Sequence, residues 1–219
     1  MKITISKENY LKAIAEAESE GESVKASTLS RWLAVSPPAV TMAVRRLKRD
    51  TLIDVACDGQ ITLTAAGREI APRLLSRHHL IERMLTEIFG MEWYRVHDEA
   101  EQLEHAVSAE FERLLIEKLG NGGICPHGNA MGAETPAARR AHGLWQLDEV
   151  RGRGLLKVAS VFERDRALLE RLDRLGIRPG ATVRVLTRHA GGALTLEIDG
   201  RPVELSRKEA SRIWCAPLA

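Results

Sequence analysis

Glu101, Glu104 and His105 stand at positions i, i+3 and i+4 of the acidic stretch V-H-D-E-A-E-Q-L-E-H, a spacing that could hold a metal ion. On a helix turning by about 100° per residue these side chains share a face, and His97, one turn earlier, falls within the same arc of roughly 100°. Upstream, His78 and Glu82 are again i and i+4. Antiparallel packing of two such helices would bring both sets together. Carboxylates and imidazoles without thiolate suit Mn(II) or Fe(II). The alternative is a solvated acidic helix face with structural histidines. The Glu-x-x-His pairing of di-iron bundles and the H-E-x-x-H of zinc proteases do not occur at these positions. No Ser/His/Asp or Cys/His arrangement stands out for nucleophilic catalysis, so enzyme activity is not expected.

A second candidate is basic. Residues 25–49 carry Lys25, Arg31, Arg45, Arg46, Lys48 and Arg49 with no acid, although the whole chain has a formal charge of only +2. Such a block suits phosphates. Ser36 before Pro37-Pro38 reads as a helix cap with proline in the first turn. Val40, Val44 and Leu47 form that helix's buried side. Its leading residues Ser36, Pro38, Ala39, Thr41 and Met42 would lie nearest the base edges, with Arg45, Arg46 and Arg49 set for phosphates. Two apolar-striped helices precede the block, around Leu11/Ile14 and Leu29/Leu33. After it, Leu52–Val55 and Ile61–Leu63 flank Asp58-Gly59 as a hairpin. Helix, helix, turn, basic helix, hairpin is the order of a winged helix-turn-helix that binds double-stranded DNA; a protein-binding winged helix is the alternative.

The elements that position these groups divide into three regions within 219 residues. Residues 1–72 form the winged helix. Residues 73–146 form a helical metal-binding and dimerisation domain with a linker. In it, one long helix is expected to end near Gly90. A second carries Trp93, Val96, Ala100, Leu103, Val107, Phe111 and Leu114 at steps of three or four. Apolar surface beyond the needs of so small a domain suggests a homodimer. Residues 120–143, with six glycines and two prolines, read as a linker or extended loop. In residues 147–219, short alternating runs predict an SH3-like β-barrel. They are Leu155–Val161, Val183/Val185, Leu194/Leu196/Ile198 and Val203/Leu205, with a helix over Leu168–Leu175 and a Ser206/Glu209 capping box. The fold class is thus mainly α with a small β component. The polar N-terminus, the lack of a membrane-length apolar run and three scattered cysteines, Cys57, Cys125 and Cys215, lead us to expect a cytoplasmic protein without a disulfide framework.

E-N-Y-L-K, S-P-P-A-V, R-H-H-L-I-E-R-M-L and V-H-D-E-A-E-Q-L-E-H together resemble the diphtheria toxin repressor family of iron- and manganese-dependent repressors, over nearly the whole chain. The resemblance implies a primary metal site of Asn9, Glu101, Glu104 and His105 and an ancillary site of His78, Glu82 and His97. The C-P-H-G segment, through Cys125 and His127, and Asp165 in the barrel are implied as further ancillary donors. Cys125 reads otherwise as a loop thiol and Asp165 as a helix cap. A carboxylate at Glu101, where iron-sensing members have Cys, implies Mn(II) as cofactor, with Fe(II) as the alternative. Asn9 departs from the family's Asp or Met, and Lys12 from the bridging Glu of one manganese-type branch, so two separated sites are expected. The implied function is a metal-activated repressor on a palindromic operator, controlling metal-ion homeostasis. A winged-helix regulator answering an organic ligand is a further alternative, though aromatics to line a cavity make up only 4% of the chain.

Overall fold

The computed structural model describes residues 4–152 and 154–218. Two compact units divide the chain: Met1–His78 with Met131–Pro136, and His79–Ala130 with Ala137–Ala219.

The first unit begins with α1 (Ile5–Ser19), α2 (Ala26–Leu33) and α3 (Pro37–Arg49). Leu11, Ile14, Leu29, Val40 and Leu47 meet in its core, the apolar stripes that the spacing predicts. Between α2 and α3 the chain reverses at Ala34, whose φ of 51° is left-handed. Ser30 secures this turn by donating its hydroxyl to Val35 O at 2.6 Å. Ser36 occupies the N-cap of α3 but makes no side-chain capping bond. The reason is local: Pro38, at the second helical position, removes one of the N–H groups such a cap would serve. The wing follows as β1 (Ile53–Val55) and β2 (Ile61–Leu63), antiparallel in the register Ile53 to Leu63. Gly59, at φ 82°, makes its turn. The helix α4 (Ala65–Glu87) comes next and contains the residue at which the two units divide.

In the second unit, the apolar stripe from Trp93 to Leu114 is not one helix. It is interrupted between α5 (Val96–Leu103) and α6 (Ala109–Leu119). Ser108 adopts an extended conformation and caps α6, its Oγ accepting the Phe111 N–H at 3.1 Å; a residue in that conformation cannot continue α5. The expected linker is also structured in part, with a tight turn at Cys125–Asn129 and the short helix α7 (Pro136–Ala141).

The barrel comprises β3 (Trp145–Gln146), β4 (Leu155–Val161), α8 (Arg166–Arg174), β5 (Thr182–Arg188), β6 (Leu194–Ile198), β7 (Arg201–Leu205), α9 (Arg207–Ala210) and β8 (Ile213–Pro217). Its strands run antiparallel in the order β3-β8-β4-β5-β6-β7. Alternate residues of β4, β5 and β6 face a core of Leu156, Val158, Val183, Val185, Leu194 and Leu196. β3 and β8 lack that alternation, and the apolar pattern of the sequence does not predict them.

Candidate metal centre

Within the second unit, four chain segments deliver ionisable side chains to one buried place. α4 supplies His79 and Glu82, α5 supplies His97, the Cys125–Asn129 turn supplies Cys125 and His127, and the loop after β4 supplies Glu163. His79, Glu82, His97, Cys125, His127 and Glu163 are all buried, Glu82 and His127 completely. Donor atoms of His79, Glu82, Cys125 and Glu163 all lie within 4.8 Å of one another. His97 Nδ1 is 3.2 Å from Glu82 Oε1, and His127 Nδ1 is 3.3 Å from Glu82 Oε2. His79 Nε2 is 3.3 Å from Glu163 Oε1.

The turn carrying Cys125 and His127 is held by backbone bonds. Gly128 N–H donates to Cys125 O at 2.8 Å, Cys125 N–H to Asn129 O at 2.8 Å, and Val161 N–H to His127 O at 2.9 Å. Gly128 sits at φ 84°, and a Cβ there would lie 2.0 Å from Ala159 O. Only glycine lets the turn press against β4. Asn129 then orients Glu163, donating Nδ2–H to Glu163 Oε2 at 2.6 Å. Arg139 of α7 donates to Asn129 Oδ1 at 3.3 Å and to Ser160 Oγ at 3.4 Å, with its guanidinium 5.1 Å from the Trp214 ring centroid. A donor on Asn129's carbonyl side fixes which way its amide faces.

Two carboxylates buried side by side are costly unless positive charge or hydrogen bonds compensate them. For Glu163, burial and the charge of Glu82 favour the neutral acid, but His79 and His97 outweigh them and hold its carboxyl below the usual carboxylate range. Burial, with repulsion from Glu82 and Glu163, pushes the Cys125 thiol well above its usual range. A cation binding there would have to displace the thiol proton. Cys215 in β8 is also raised, to about 12, by burial; Cys57 is exposed.

The remaining acidic-helix residues lie at the end of α5. Glu104 is buried and is the residue that ends the helix, its N–H donating to Ala100 O at 2.9 Å. His105 Nε2 is 3.3 Å from Glu104 Oε1. Glu101 Oε1 accepts from Arg164 Nη1 at 2.9 Å and lies 3.6 Å from His97 Nε2. In the first unit, Asn9 Oδ1 is buried with no hydrogen-bond partner among the described residues. His78, also buried, has Lys12 Nζ 3.3 Å from its Nδ1.

Of the expected ancillary donors that lie in the second unit, Glu82, His97, Cys125 and His127 converge. Asp165 does not join them: its Oδ1 accepts the Leu168 N–H at 3.0 Å and caps α8. The acid that reaches the cluster is Glu163, two residues earlier. Sequence reasoning missed Glu163, His79 and Asn129. His79 and Glu82 do stand at i and i+3, a usable signal; Glu163, in a loop of charged residues, gave none.

On α3, Ser36, Pro38, Ala39, Thr41, Met42, Arg45, Arg46 and Arg49 are all exposed, while Val40 and Leu47 are buried. Thr41 Oγ1 donates to Pro37 O at 3.0 Å. No described helix is long and apolar enough to cross a membrane.

Residues 2–60 match the N-terminal DNA-binding domain of the iron dependent repressors, and residues 64–131 their metal binding and dimerisation domain. Residues 146–217 match the FeoA domain. The chain is 32% identical over 210 residues to the diphtheria toxin repressor of Corynebacterium diphtheriae, covering 90% of this chain and 91% of that one. It is 34% identical over 206 residues to the iron-dependent repressor IdeR of Mycobacterium tuberculosis, covering 88% of each. Among solved structures, a manganese-dependent transcriptional repressor in complex with manganese is similar at a TM-score of 0.86 and 33% identity, over 97% of this chain and 100% of that one.

Proposed function

This chain belongs to the diphtheria toxin repressor family of metal-dependent, DNA-binding transcriptional repressors, and we propose that it is a cytoplasmic homodimer whose hold on a palindromic operator is switched on by Mn(II). The observation that carries the metal reading is the buried cluster: six imidazole, carboxylate and thiol side chains face one another away from water. A core without a ligand to bind has no use for so much polar chemistry. Its donor set fits a divalent cation, as does the unsatisfied Asn9 Oδ1.

Two sites are assigned. The primary site takes Asn9, Glu101, Glu104 and His105, and the ancillary site is the buried cluster, with His78 one helical turn before Glu82. A divalent cation held there would offset the negative charge of these carboxylates. Glu104 and His105, at the end of α5, belong to the dimerising domain; Asn9, on α1, belongs to the reading head. Donors divided in this way link metal binding to the pose of α3. By reciprocity, DNA then tightens metal binding as metal tightens DNA binding. On α3, Ser36, Pro38, Ala39, Thr41 and Met42 face base edges, with Met42 and Ala39 suited to thymine methyls. Arg45, Arg46 and Arg49 neutralise phosphates. Phe111 and Leu114 on α6 and Phe89 after α4 are exposed, and a second copy of the chain would cover them.

Mn(II) is preferred because Glu101 offers the primary site an oxygen donor, and because the chain is similar to a manganese-dependent transcriptional repressor. Fe(II) is the second reading, favoured by the similarity to an iron-dependent repressor. An anaerobic operator-binding titration with Mn(II), Fe(II), Co(II) and Zn(II) decides between them. Mn(II) is expected to activate at the lowest free concentration. Strong Fe(II) activation with negligible response to Mn(II) would overturn the choice. In the same assay Glu104→Ala and His105→Ala should lose metal-activated binding while remaining dimeric.

A further inference from the structure

The two central carboxylates of the cluster turn their two oxygens to different partners. On one edge, Glu82 Oε1 and Glu163 Oε1 lie 3.2 and 4.0 Å from His97 Nδ1, and Glu163 Oε1 is also 3.3 Å from His79 Nε2. On the opposite edge, Glu82 Oε2 and Glu163 Oε2 lie 3.3 and 3.7 Å from His127 Nδ1. Cys125 Sγ completes this edge, 3.7 Å from Glu163 Oε2 and 3.8 Å from His127 Nδ1.

We propose that the cluster is a two-cation centre, with Glu82 and Glu163 bridging a pair of divalent ions. One ion is held by His97, His79 and the Oε1 atoms, and the other by His127, Cys125 and the Oε2 atoms. This rests on the reading of the cluster as a metal centre and adds its stoichiometry and the division of its donors. Carboxylates that bridge through both oxygens are the usual means of holding two cations about 3.5–4 Å apart. Each edge offers four donor atoms, as many as a compact divalent site uses. The edges differ in softness. The nitrogen and oxygen edge suits Mn(II) or Fe(II), whereas the thiol edge suits Co(II) or Zn(II) as well. Two dications against Glu82, Glu163 and a Cys125 thiolate leave the site within one charge of neutrality, as burial demands. The hydrogen bond from Asn129 to Glu163 Oε2 and the backbone bonds of the Cys125–Asn129 turn fix the thiol edge before any ion arrives.

The test uses the full chain carrying Glu104→Ala and His105→Ala, so that the other proposed site no longer contributes. Metal content after equilibrium dialysis against Mn(II) or Co(II) is expected to be two ions per chain. The Mn(II) form should give the broadened, exchange-coupled paramagnetic resonance of a pair instead of an isolated six-line signal. Adding Cys125→Ser with His127→Ala should leave one ion and abolish the thiolate-to-Co(II) charge-transfer absorption. Adding His97→Ala should also leave one ion but keep that absorption. One ion per chain in the parent variant, with an isolated Mn(II) spectrum, would mean a single site drawing on all six side chains and would overturn the proposal, leaving the metal reading intact. No bound ion would overturn both. The parent measurement alone decides the count, so the outcome does not depend on the cluster variants folding.

Discussion

The outer face of α3 and the buried cluster are the two places where this chain concentrates polar chemistry, and they are built in opposite ways. The α3 face comes from one continuous segment, exposed throughout, whose charges remain in water and need no partners. The cluster is assembled from residues between His79 and Glu163, buried throughout, and every member depends on the others to tolerate burial. Surface charge on one helix degrades gradually as residues are removed, whereas a buried network tends to fail as a unit. The contrast identifies the cluster as the fragile half of the molecule and the reading helix as the tolerant one.

Variants should separate the two regions in a fixed order. Removing the central carboxylate with Glu82→Ala should have the largest effect. Cation affinity at the cluster should fall by more than about 100-fold, beyond the 10–100-fold usual for residues behind the direct donors; dialysis of the purified variant measures it. Gly128→Ala comes next, because its Cβ would meet Ala159 O and the left-handed φ would be strained. A loss of about 2–4 kcal/mol in unfolding stability is expected, read from denaturant melts. Asn129→Ala and Arg139→Met should each weaken cluster binding by roughly 10–100-fold. If Arg139 acts through Asn129, the double variant will be little worse than either single one; full additivity would show two independent roles. The smallest change belongs to the exposed helix. Arg46→Ala should lower DNA affinity similarly for all sequences and reduce the slope of log affinity against log salt by about one. An unchanged slope would remove Arg46 from the phosphate contacts.

The same contrast explains what the sequence could and could not reveal. The α3 face was legible because its basic run, its prolines and its Val40/Val44/Leu47 stripe lie within one helix, and periodicity fixes which residues face outward. The winged helix and most barrel strands were legible for the same reason. His97, Glu101, Glu104 and His105 were visible as a local spacing, although the expected long helix breaks at Glu104. The cluster was only half legible. Cys125 and His127 fall in a glycine-rich stretch that reads as linker, and nothing local shows that Gly128 packs on β4. The family resemblance points to Asp165, and nothing in the sequence around Glu163 marks it as a donor. Only the tertiary fold decides that one caps α8 while the other enters the cluster. Local patterns encode the elements and their faces; convergence of distant segments is a property of packing.

One measurement bears most directly on the central claim that divalent metal switches DNA binding on. A palindromic duplex, selected from random sequences by the Mn(II)-loaded protein, would be titrated by fluorescence anisotropy with the full-length chain, once stripped by chelator and once resupplied with Mn(II). The account predicts tight, salt-sensitive binding with Mn(II) and, without metal, affinity no better than for unrelated DNA. Equal affinity in the stripped and loaded states, with metal loss verified by elemental analysis, would contradict it.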